Sequence, residues 1–301
     1  MFEDLFANRG LSFDRLRALL EVQEAGSIAQ AAPGDPVRQS QYSRQLRELA
    51  EFFNVSLTQR RGKELKLSPE GERLAGITRA HFQSLHDLRR ECLQQEADYR
   101  LAAGDSLLQW LVIPRLPRER VAKLRVRFST FNLRTHDIIA QLSDGRLDFG
   151  LVRADAVTAD LESAPLGTLT YRLVVPRALV PAPRASFRQA LTSVPLVTQT
   201  GDGQFSQRLR EIASEAGGEL RPRLTCQSFP QSLAAVRGKG HGAVLPAIAL
   251  HELPAAEVRV IDAPALRRLD RAMALAWHPR VLRLRGQASE VRNLLTRAFA
   301  I

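Results

Sequence analysis

A short stretch of the chain carries five side chains that can form hydrogen bonds with DNA bases. They are Gln39, Ser40, Ser43, Arg44 and Arg47. Arginine and glutamine can each make paired hydrogen bonds to a base edge, and serine can bond a base or a phosphate. Their spacing places them on one side of a helix, so they predict a surface that reads the major groove. The alternative interpretation is an ordinary solvated helix face.

A basic cluster follows closely, with Arg60, Arg61 and Lys63 around Gly62. Leucines stand before and after it at positions that fit two short strands. The pattern predicts a β-hairpin wing whose basic tip lies along a phosphate backbone. Taken alone, the pattern would fit an ordinary hairpin with a polar turn better than a DNA-binding wing.

The helix that must carry the first cluster is predicted to begin at about Gln39. Its apolar residues recur every three or four positions and would form one buried stripe. They are Tyr42, Leu46, Leu49, Phe52 and Phe53. Asn54 can adopt the left-handed conformation that stops a helix. This helix therefore has an apolar back and a hydrogen-bonding front.

Two helices opened by serines are predicted before it. Ser12 can cap the first, which Gly26 ends, and Ser27 can cap the second, with Gln30 at capping-box spacing. The apolar face of the first helix is expected to hold Phe13, Leu16, Leu19, Leu20 and Val22. Residues 33–36 (PGDP) must break or bend the second helix. Helix, short helix, turn and longer helix is the helix-turn-helix order.

A long helix is predicted to start at Ser68-Pro69-Glu70 and to run to about Tyr99. Its apolar residues have roughly heptad spacing, and they are Leu74, Ile77, His81, Leu85, Leu88 and Cys92. A stripe this narrow on so long a helix favours pairing with a second copy of the chain. His81 and His86 are five residues apart, which does not suit a shared metal.

Composition limits the classes of function. The net charge of the 301 residues is +11, but residues 1–100 hold 15 basic and 15 acidic residues, so the whole excess lies after residue 100. Overall basicity therefore gives little support for DNA binding. Cys92 and Cys226 are far apart and lack partner ligands, and no apolar run is long enough to span a membrane. We expect a cytoplasmic protein without a disulfide or metal framework.

After residue 100 the pattern changes to short apolar runs bounded by glycine, proline or charge. The runs include LLQWLVIPRLP, LDFGLVRA, YRLVVP, HGAVLP and MALAWHP. Amphipathic helical stretches separate several of them, at residues 133–145, 205–216, 228–238 and 287–299. This alternation predicts an α/β sheet structure.

The first quarter of the chain closely resembles the DNA-binding region of LysR-type transcriptional regulators. The resemblance covers about residues 12–75 and rests on Gly26-Ser27, Ala31-Ala32, Ser43-Arg44-Gln45-Leu46, the basic wing and Ser68-Pro69-Glu70-Gly71. The chain departs from the family pattern at Pro33-Gly34-Asp35, Arg38 and Tyr42.

The second half is similar to the effector-binding region of the same family, at Asp148 and residues 240–246. The resemblance implies a winged helix-turn-helix (1–67), a linker and dimerisation helix (68–100) and an effector-binding domain (101–301). The last would comprise two periplasmic-binding-protein-like α/β subdomains, of residues 101–165 with 266–301 and of residues 166–265. A small molecule would bind in the cleft between them.

Family position suggests polar or aromatic side chains that would hold this effector. They are Ser106, Thr130, Asn132, Thr198, Gln199, Thr200 and Phe229. Each can orient a ligand without chemistry, and each can equally be a helix cap. The arginine excess suits an anionic effector, although codon bias would also produce it.

Enzymatic signatures are missing from the sequence. The run GKGHG (residues 238–242) lacks the Lys-Ser/Thr ending of a phosphate-binding loop, and no G-x-S-x-G motif occurs. We therefore expect no catalytic residues, cofactor or metal. The predicted function is sequence-specific, effector-responsive transcription regulation by a homodimer or homotetramer on double-stranded DNA, with RNA polymerase as a candidate partner. The alternative is a small-molecule-binding or protein-interaction module that no longer reads DNA.

Overall fold

A computed structural model describes residues 2–7, 9–61, 64–180, 186–201, 203–220 and 222–301. The N-terminal part is mainly helical and ends in a hairpin and a long helix. Its elements are α1 (Glu3–Ala7), α2 (Phe13–Ala25), α3 (Ile28–Ala31), α4 (Pro36–Phe53), β1 (Thr58–Arg61), β2 (Glu64–Leu67) and α5 (Pro69–Cys92). This order confirms the predicted winged helix-turn-helix followed by a linker helix.

Local capping explains where α2 and α3 begin and end. The hydroxyls of Ser12 and Ser27 accept hydrogen bonds from backbone N–H groups in the first turns of α2 and α3, as predicted. Gly26 has a φ of 83° and ends α2. Phe13 was expected on the buried face, but it is 69% exposed and its ring meets the edge of Phe82 on α5.

The start of α4 differs from the prediction. The helix begins at Pro36 rather than at Gln39, because Asp35 accepts a hydrogen bond from the Arg38 N–H and a proline suits the first helical position. Gly34, with a φ of 73°, makes the tight turn that leaves α3 only four residues long. The departure at residues 33–35 therefore shortens the second helix and caps the third.

The core of the N-terminal domain is formed by residues of α2, α4, the hairpin and α5. Leu19, Leu46, Leu49 and Leu57 are almost completely buried in it. Burial of each such leucine contributes about 1.5–3 kcal/mol. Phe53, predicted to belong to the buried stripe, is exposed at the end of α4, where Asn54 adopts the predicted left-handed conformation.

The long helix α5 is shorter than predicted. It ends at Cys92, because Gln94 takes a left-handed φ of 54° and the N–H groups of Gln94 and Gln95 bond back to carbonyls in the last turn. Tyr99, expected near the end of this helix, lies instead in the first strand of the next domain and is fully buried.

Three faces of α5 have different surroundings. Gly71, Ala75, Thr78 and Phe82 face the N-terminal domain; Gly76, Ala80, Gln83 and Asp87 face the C-terminal domain. The third face is the apolar stripe, in which Ile77, Leu85 and Leu88 are 41–57% exposed. Leu74 was assigned to this stripe but packs against the core of the N-terminal domain. The exposed stripe suits the predicted pairing of two copies.

Within its described residues, the C-terminal part contains ten strands in two sheets. The strands are β3 (Ala97–Ala103), β4 (Val126–Asn132), β5 (Phe149–Arg153), β6 (Glu162–Leu169), β7 (Tyr171–Pro176), β8 (Leu196–Gln199), β9 (Pro222–Cys226), β10 (Gly242–Pro246), β11 (Val258–Ile261) and β12 (Arg271–Trp277). The helices are α6 (Asp105–Leu107), α7 (Ile113–Arg115), α8 (Arg118–Lys123), α9 (Thr135–Ser143), α10 (Phe187–Ser193), α11 (Gln204–Glu215), α12 (Phe229–Arg237), α13 (Pro279–Arg283) and α14 (Ala288–Ala298).

The two sheets define the two predicted α/β subdomains. The first has the order β4-β3-β5-β12-β6 and the second the order β11-β7-β10-β8-β9. The chain passes from the first subdomain to the second at Thr170, because β6 continues to Leu169 and so extends past the predicted boundary at residue 165. It returns to the first subdomain before β12, which begins at Arg271. One apolar run, LLQWLVIPR, forms α6, a π-helical turn and α7 rather than a strand. Among the described helices, none combines the length and apolarity needed to cross a bilayer.

Candidate nucleic-acid interface and effector cleft

The outer face of α4 presents the predicted reading residues unequally. Ser40, Arg44 and Arg47 are exposed, whereas Gln39 and Ser43 are half-buried. The amide of Gln39 donates to the Ala32 carbonyl at 2.8 Å, so this donor is used inside the domain. Gln39 thus joins the start of α4 to the end of α3, and the expectation that its amide faces bases needs correction.

Arg44 is held in place by an acidic neighbour. Its Nε donates to Glu48 at 2.9 Å, while 80% of its side chain stays exposed. The hydrogen bond from Arg44, together with one from Arg15, lowers the pKa of the Glu48 carboxyl. Arg44 is therefore oriented along the helix surface by an ion pair that base contact would have to rearrange.

The first two turns of α4 add exposed residues that the sequence analysis did not select. Val37, Arg38 and Gln41 are exposed there. The Arg38 guanidinium lies 5.6 Å from the centre of the Tyr42 ring, and the Tyr42 hydroxyl donates to Glu21 at 2.5 Å. Burial raises the pKa of Tyr42, and the hydrogen bond with Glu21 adds to the rise. The sequence signal was Asp35-Pro36, the cap and first residue of a helix.

The wing is only partly described. Arg60 lies exposed near the end of β1, which pairs antiparallel with β2. Arg61 ends β1, but its side chain is outside the described atoms. Gly62 and Lys63, the predicted tip, lie outside the described residues. The described strands fit the expected hairpin, and the phosphate-binding role of its tip stays a prediction.

A cleft of about 1030 Å³ lies where the two subdomains meet. Four of the seven predicted effector residues line it: Ser106, Asn132, Gln199 and Phe229. They come from the loop and helix after β3, the end of β4, the end of β8 and the start of α12. Ligands of α/β sheets bind at such strand ends and helix starts.

Thr130, Thr198 and Thr200 do not line the cleft. Thr130 points to the exterior within β4, and Thr198 is buried within β8. The N–H of Thr200 donates to the Cys226 carbonyl at 2.7 Å, which continues the pairing of β8 with β9. Alternation explains why Thr198 and Thr200 miss the cleft on either side of Gln199, because adjacent residues face opposite sides; it does not account for Thr130, which is two residues from the cleft-lining Asn132.

The cleft is also lined by three arginines that the sequence analysis did not select, Arg134, Arg153 and Arg271, and by the carboxylate of Asp105. Arg153 ends β5 and donates to the Gln204 side chain at 2.6 Å, and Arg271 begins β12. Burial lowers the pKa of Arg271, and the nearby cations of Arg208 and Arg153 add to this. Like-charged groups held in one cleft favour an anionic guest.

Aromatic rings form one wall of the same cleft. Tyr171, Phe205 and Phe229 contact one another with centroids 5.0–5.7 Å apart. Burial raises the pKa of Tyr171 to about 12, so its ring stays neutral at physiological pH. The cleft therefore joins an apolar wall to polar and cationic groups, as small-molecule sites do.

The chain matches two family models. The model of the bacterial regulatory helix-turn-helix protein, lysR family, matches residues 13–72, and that of the LysR substrate binding domain matches residues 94–300. A comparison with curated proteins found no match.

Several full-length solved structures share the fold. A full-length OxyR variant from Pseudomonas aeruginosa is 17% identical with a TM-score of 0.66, covering 97% of this chain and 95% of that one. LysG from Corynebacterium glutamicum, with bound effector Arg, is 17% identical with a TM-score of 0.67, covering 96% and 98%. Full-length CbnR complexed with target DNA is 17% identical with a TM-score of 0.54, covering 96% and 100%.

Proposed function

The chain belongs to the LysR family of DNA-binding transcription regulators, and on that premise we propose how its own residues read DNA and sense an effector. Residues 1–67 would act as the DNA-reading domain and residues 101–301 as the sensor. The intervening segment would join them and pair two copies through the exposed stripe of α5. The single observation that carries the proposal is α4, whose apolar side is buried while Arg44 and Arg47 stay exposed on its outer side.

We propose a division of labour within the reading domain. Ser40, Ser43, Arg44 and Arg47 would contact base edges, and Gln39 would position the start of α4 with its amide while its oxygen stays available. Arg60, Arg61 and Lys63 would bind phosphates from the wing. Base contacts give sequence preference, whereas phosphate contacts act on all duplexes alike.

Binding measurements on two variants test this division. Arg44→Ala should weaken binding to a fragment from upstream of the chain's own gene by about 5- to 150-fold, the equivalent of about 1–3 kcal/mol, with little effect on random DNA. Arg60→Ala should weaken binding to both and reduce the salt slope by about one. Arg283→Ala removes an exposed arginine of α13 and serves as the charge control. Equal losses from Arg44→Ala on both DNAs would refute the assignment.

For the sensor, we propose a small anionic effector held between the subdomains. Arg153 and Arg271 would bind its acidic group, and the aromatic wall would cover its apolar part. Ser106, Asn132, Gln199 and Phe229 would orient it, as would be expected of residues lining the same cleft. Thr130, Thr198 and Thr200 are left out of this proposal. The effector named for LysG is arginine, a net cation that carries one carboxylate, so it is an example of an effector with an acidic group rather than of an anion.

Calorimetry with a panel of organic acids, each paired with its neutral amide, tests the charge requirement. The acids should bind and the amides should not. Arg271→Gln should remove most of the acid binding, and Arg259→Gln, an arginine on the far strand β11 outside the cleft lining, should leave it intact. Tight binding of the amides with no response to the acids would overturn the proposal.

We also propose that the chain has no catalytic role and works in the cytoplasm, where bacterial DNA lies. The cleft groups named above can bind and orient a ligand. A turnover assay on any acid that binds tests this: recovery of the unchanged acid after prolonged incubation is the expected result, and a chemical product would contradict it.

A further inference from the structure

A buried cation joins three parts of the chain. Arg285, in the turn between α13 and α14, has a side chain only 3% exposed. Its guanidinium lies 2.8 Å from Asp148, just before β5, and 2.7 Å from Asp87 on α5. It also donates to the Asp98 carbonyl and lies over the Tyr99 ring, 4.4 Å from its centre. A charge buried this deeply holds its partners firmly, because losing them would strand it.

The two carboxylates are bound differently. Asp148 accepts aligned hydrogen bonds from Arg285 and from the Arg100 N–H at 2.7 Å. Asp87 accepts from Gln83 on its own helix at 2.9 Å, but its other oxygen and the Arg285 Nε, although close, are not aligned as a hydrogen bond. Asp148 alone would keep Arg285 compensated, so the contact with Asp87 is the one that can open.

Arg285 and the effector cleft lie at opposite ends of the same two strands. At their starts, β3 contributes the Asp98 carbonyl and β5 follows Asp148. At their ends, the loop after β3 supplies Ser106 and β5 supplies Arg153 to the cleft. The strands are parallel neighbours, and five residues of strand span about 16 Å. A shift of these strands at the cleft must therefore move the partners of Arg285.

On its other side, α5 is bound to the reading domain by polar contacts. Arg79 donates to Gln23 and Glu24 on α2, at 2.9 and 2.8 Å. Gln23, itself buried, donates to Glu72 at 2.7 Å. The helix that carries Asp87 is thus tied directly to the DNA-reading domain.

We propose that the Asp87–Arg285 ion pair is the releasable link through which the effector cleft sets the position of the linker helix, and so of the reading domain. Asp87 and Arg285 are positioning residues, which touch neither effector nor DNA. The inference rests on the proposed function, since it needs a cleft whose state is changed, by a ligand or by a substitution, and a DNA-bound reading domain. A link of this kind couples sites because it has two discrete states, paired and open.

Hydrogen exchange of the full-length protein tests the link without any ligand. Asp87→Asn keeps the side-chain shape and leaves Arg285 with Asp148. Amides of α5 from residue 80 to 92 should exchange about tenfold faster in this variant, while β5 and β12 keep their protection. Glu91→Gln, an exposed charge loss on the same helix, should change nothing. Unchanged exchange of α5, or equal acceleration throughout the effector domain, would overturn the proposal.

A double-mutant cycle tests transmission. The cleft variant Arg153→Gln should change the affinity of the protein for the upstream DNA fragment. When Asp87→Asn is also present, this change in affinity should be smaller by about threefold or more. In the Glu91→Gln background the change should keep its full size. No effect of Arg153→Gln, or the same effect in both backgrounds, would overturn transmission. Wild-type protein that binds no DNA would refute the proposed function instead, and the exchange measurement would still decide the link.

Discussion

Replacing Arg285 by methionine should destabilise the effector domain severely. The substitution keeps much of the volume but leaves Asp148, whose side chain is 5% exposed, without its cation. Removing one partner of a buried ion pair costs about 3–5 kcal/mol. For a domain of about 200 residues, this corresponds to a Tm lower by about 6–20 °C. Asp87 keeps its hydrogen bond from Gln83, so Asp148, which loses its buried cation, should carry most of the cost.

The same substitution should make stability depend on pH. Burial raises the pKa of Asp148, and Arg285 opposes that rise. In Arg285→Met the opposition is lost, so the pKa of folded Asp148 lies further above the value of about 3.9 in the unfolded chain. At a pH between the unfolded and the folded pKa of Asp148, the carboxyl is protonated in the folded chain and ionised in the unfolded chain. The free energy of unfolding therefore falls as the pH rises through this range. The loss of stability of Arg285→Met relative to the wild type should be largest at pH 8 and should become smaller toward pH 5.

Differential scanning calorimetry at pH 5 and pH 8 measures both effects. Arg283→Met is the matched control, because Arg283 is an exposed arginine two residues away, and its Tm should follow the wild type at both pH values. If Arg285→Met loses the same stability at the two pH values, the inference that Asp148 is left as a buried, unpaired carboxylate is refuted. A deficit below about 1 kcal/mol would show that the pair behaves like a surface salt bridge.

Three further predictions concern the reading domain and the dimer. Glu48→Gln should release Arg44 and remove a negative charge beside the duplex, so affinity in DNA titrations should rise about two- to fivefold; weaker binding would contradict this. Gly71→Ala would place its methyl carbon 2.3 Å from the Leu57 carbonyl oxygen, so thermal unfolding should show a loss of about 1–3 kcal/mol, and an unchanged Tm would count against the packing of α5 on the wing. Leu85→Asp puts a charge into the exposed stripe, and sedimentation should then report monomers; an unchanged mass would mean that the copies pair elsewhere.

The arginine-rich composition conceals two kinds of site. On α4 the arginines are solvated, and Arg44 is paired with a single acidic neighbour, Glu48. In the cleft, Arg271 is partly desolvated and has other cations nearby. An exposed arginine of α4 can leave its acidic neighbour and bind a base at little cost in free energy. The partly desolvated arginines of the cleft instead favour the binding of an anion. Net charge alone could not distinguish them.

Features of the fold that depend on a few neighbouring residues could be predicted from the sequence. Ser12, Ser27, Asn54 and Ser68 cap helices where they were expected to, because a cap needs only its own turn. The apolar stripe of α4 and the α/β alternation of the second half were visible for the same reason. The end of α5 was not, because Gln94 adopts a conformation that glycine or asparagine usually signals.

The sequence by itself therefore determined the class of most elements, the helix-turn-helix order and the family; the run LLQWLVIPR, which is helical, and Tyr99, which lies in a strand, are the exceptions. Only the tertiary structure decided which polar groups meet. The Gln39 amide donates a hydrogen bond to the Ala32 carbonyl within the domain. Four of the seven predicted effector residues line the cleft, and Arg153 and Arg271 line it as well. Arg285 found Asp87 across most of the chain's length. Periodicity records which side of an element is buried, but pairing between distant charges depends on how whole elements are oriented, and no local pattern carries that information.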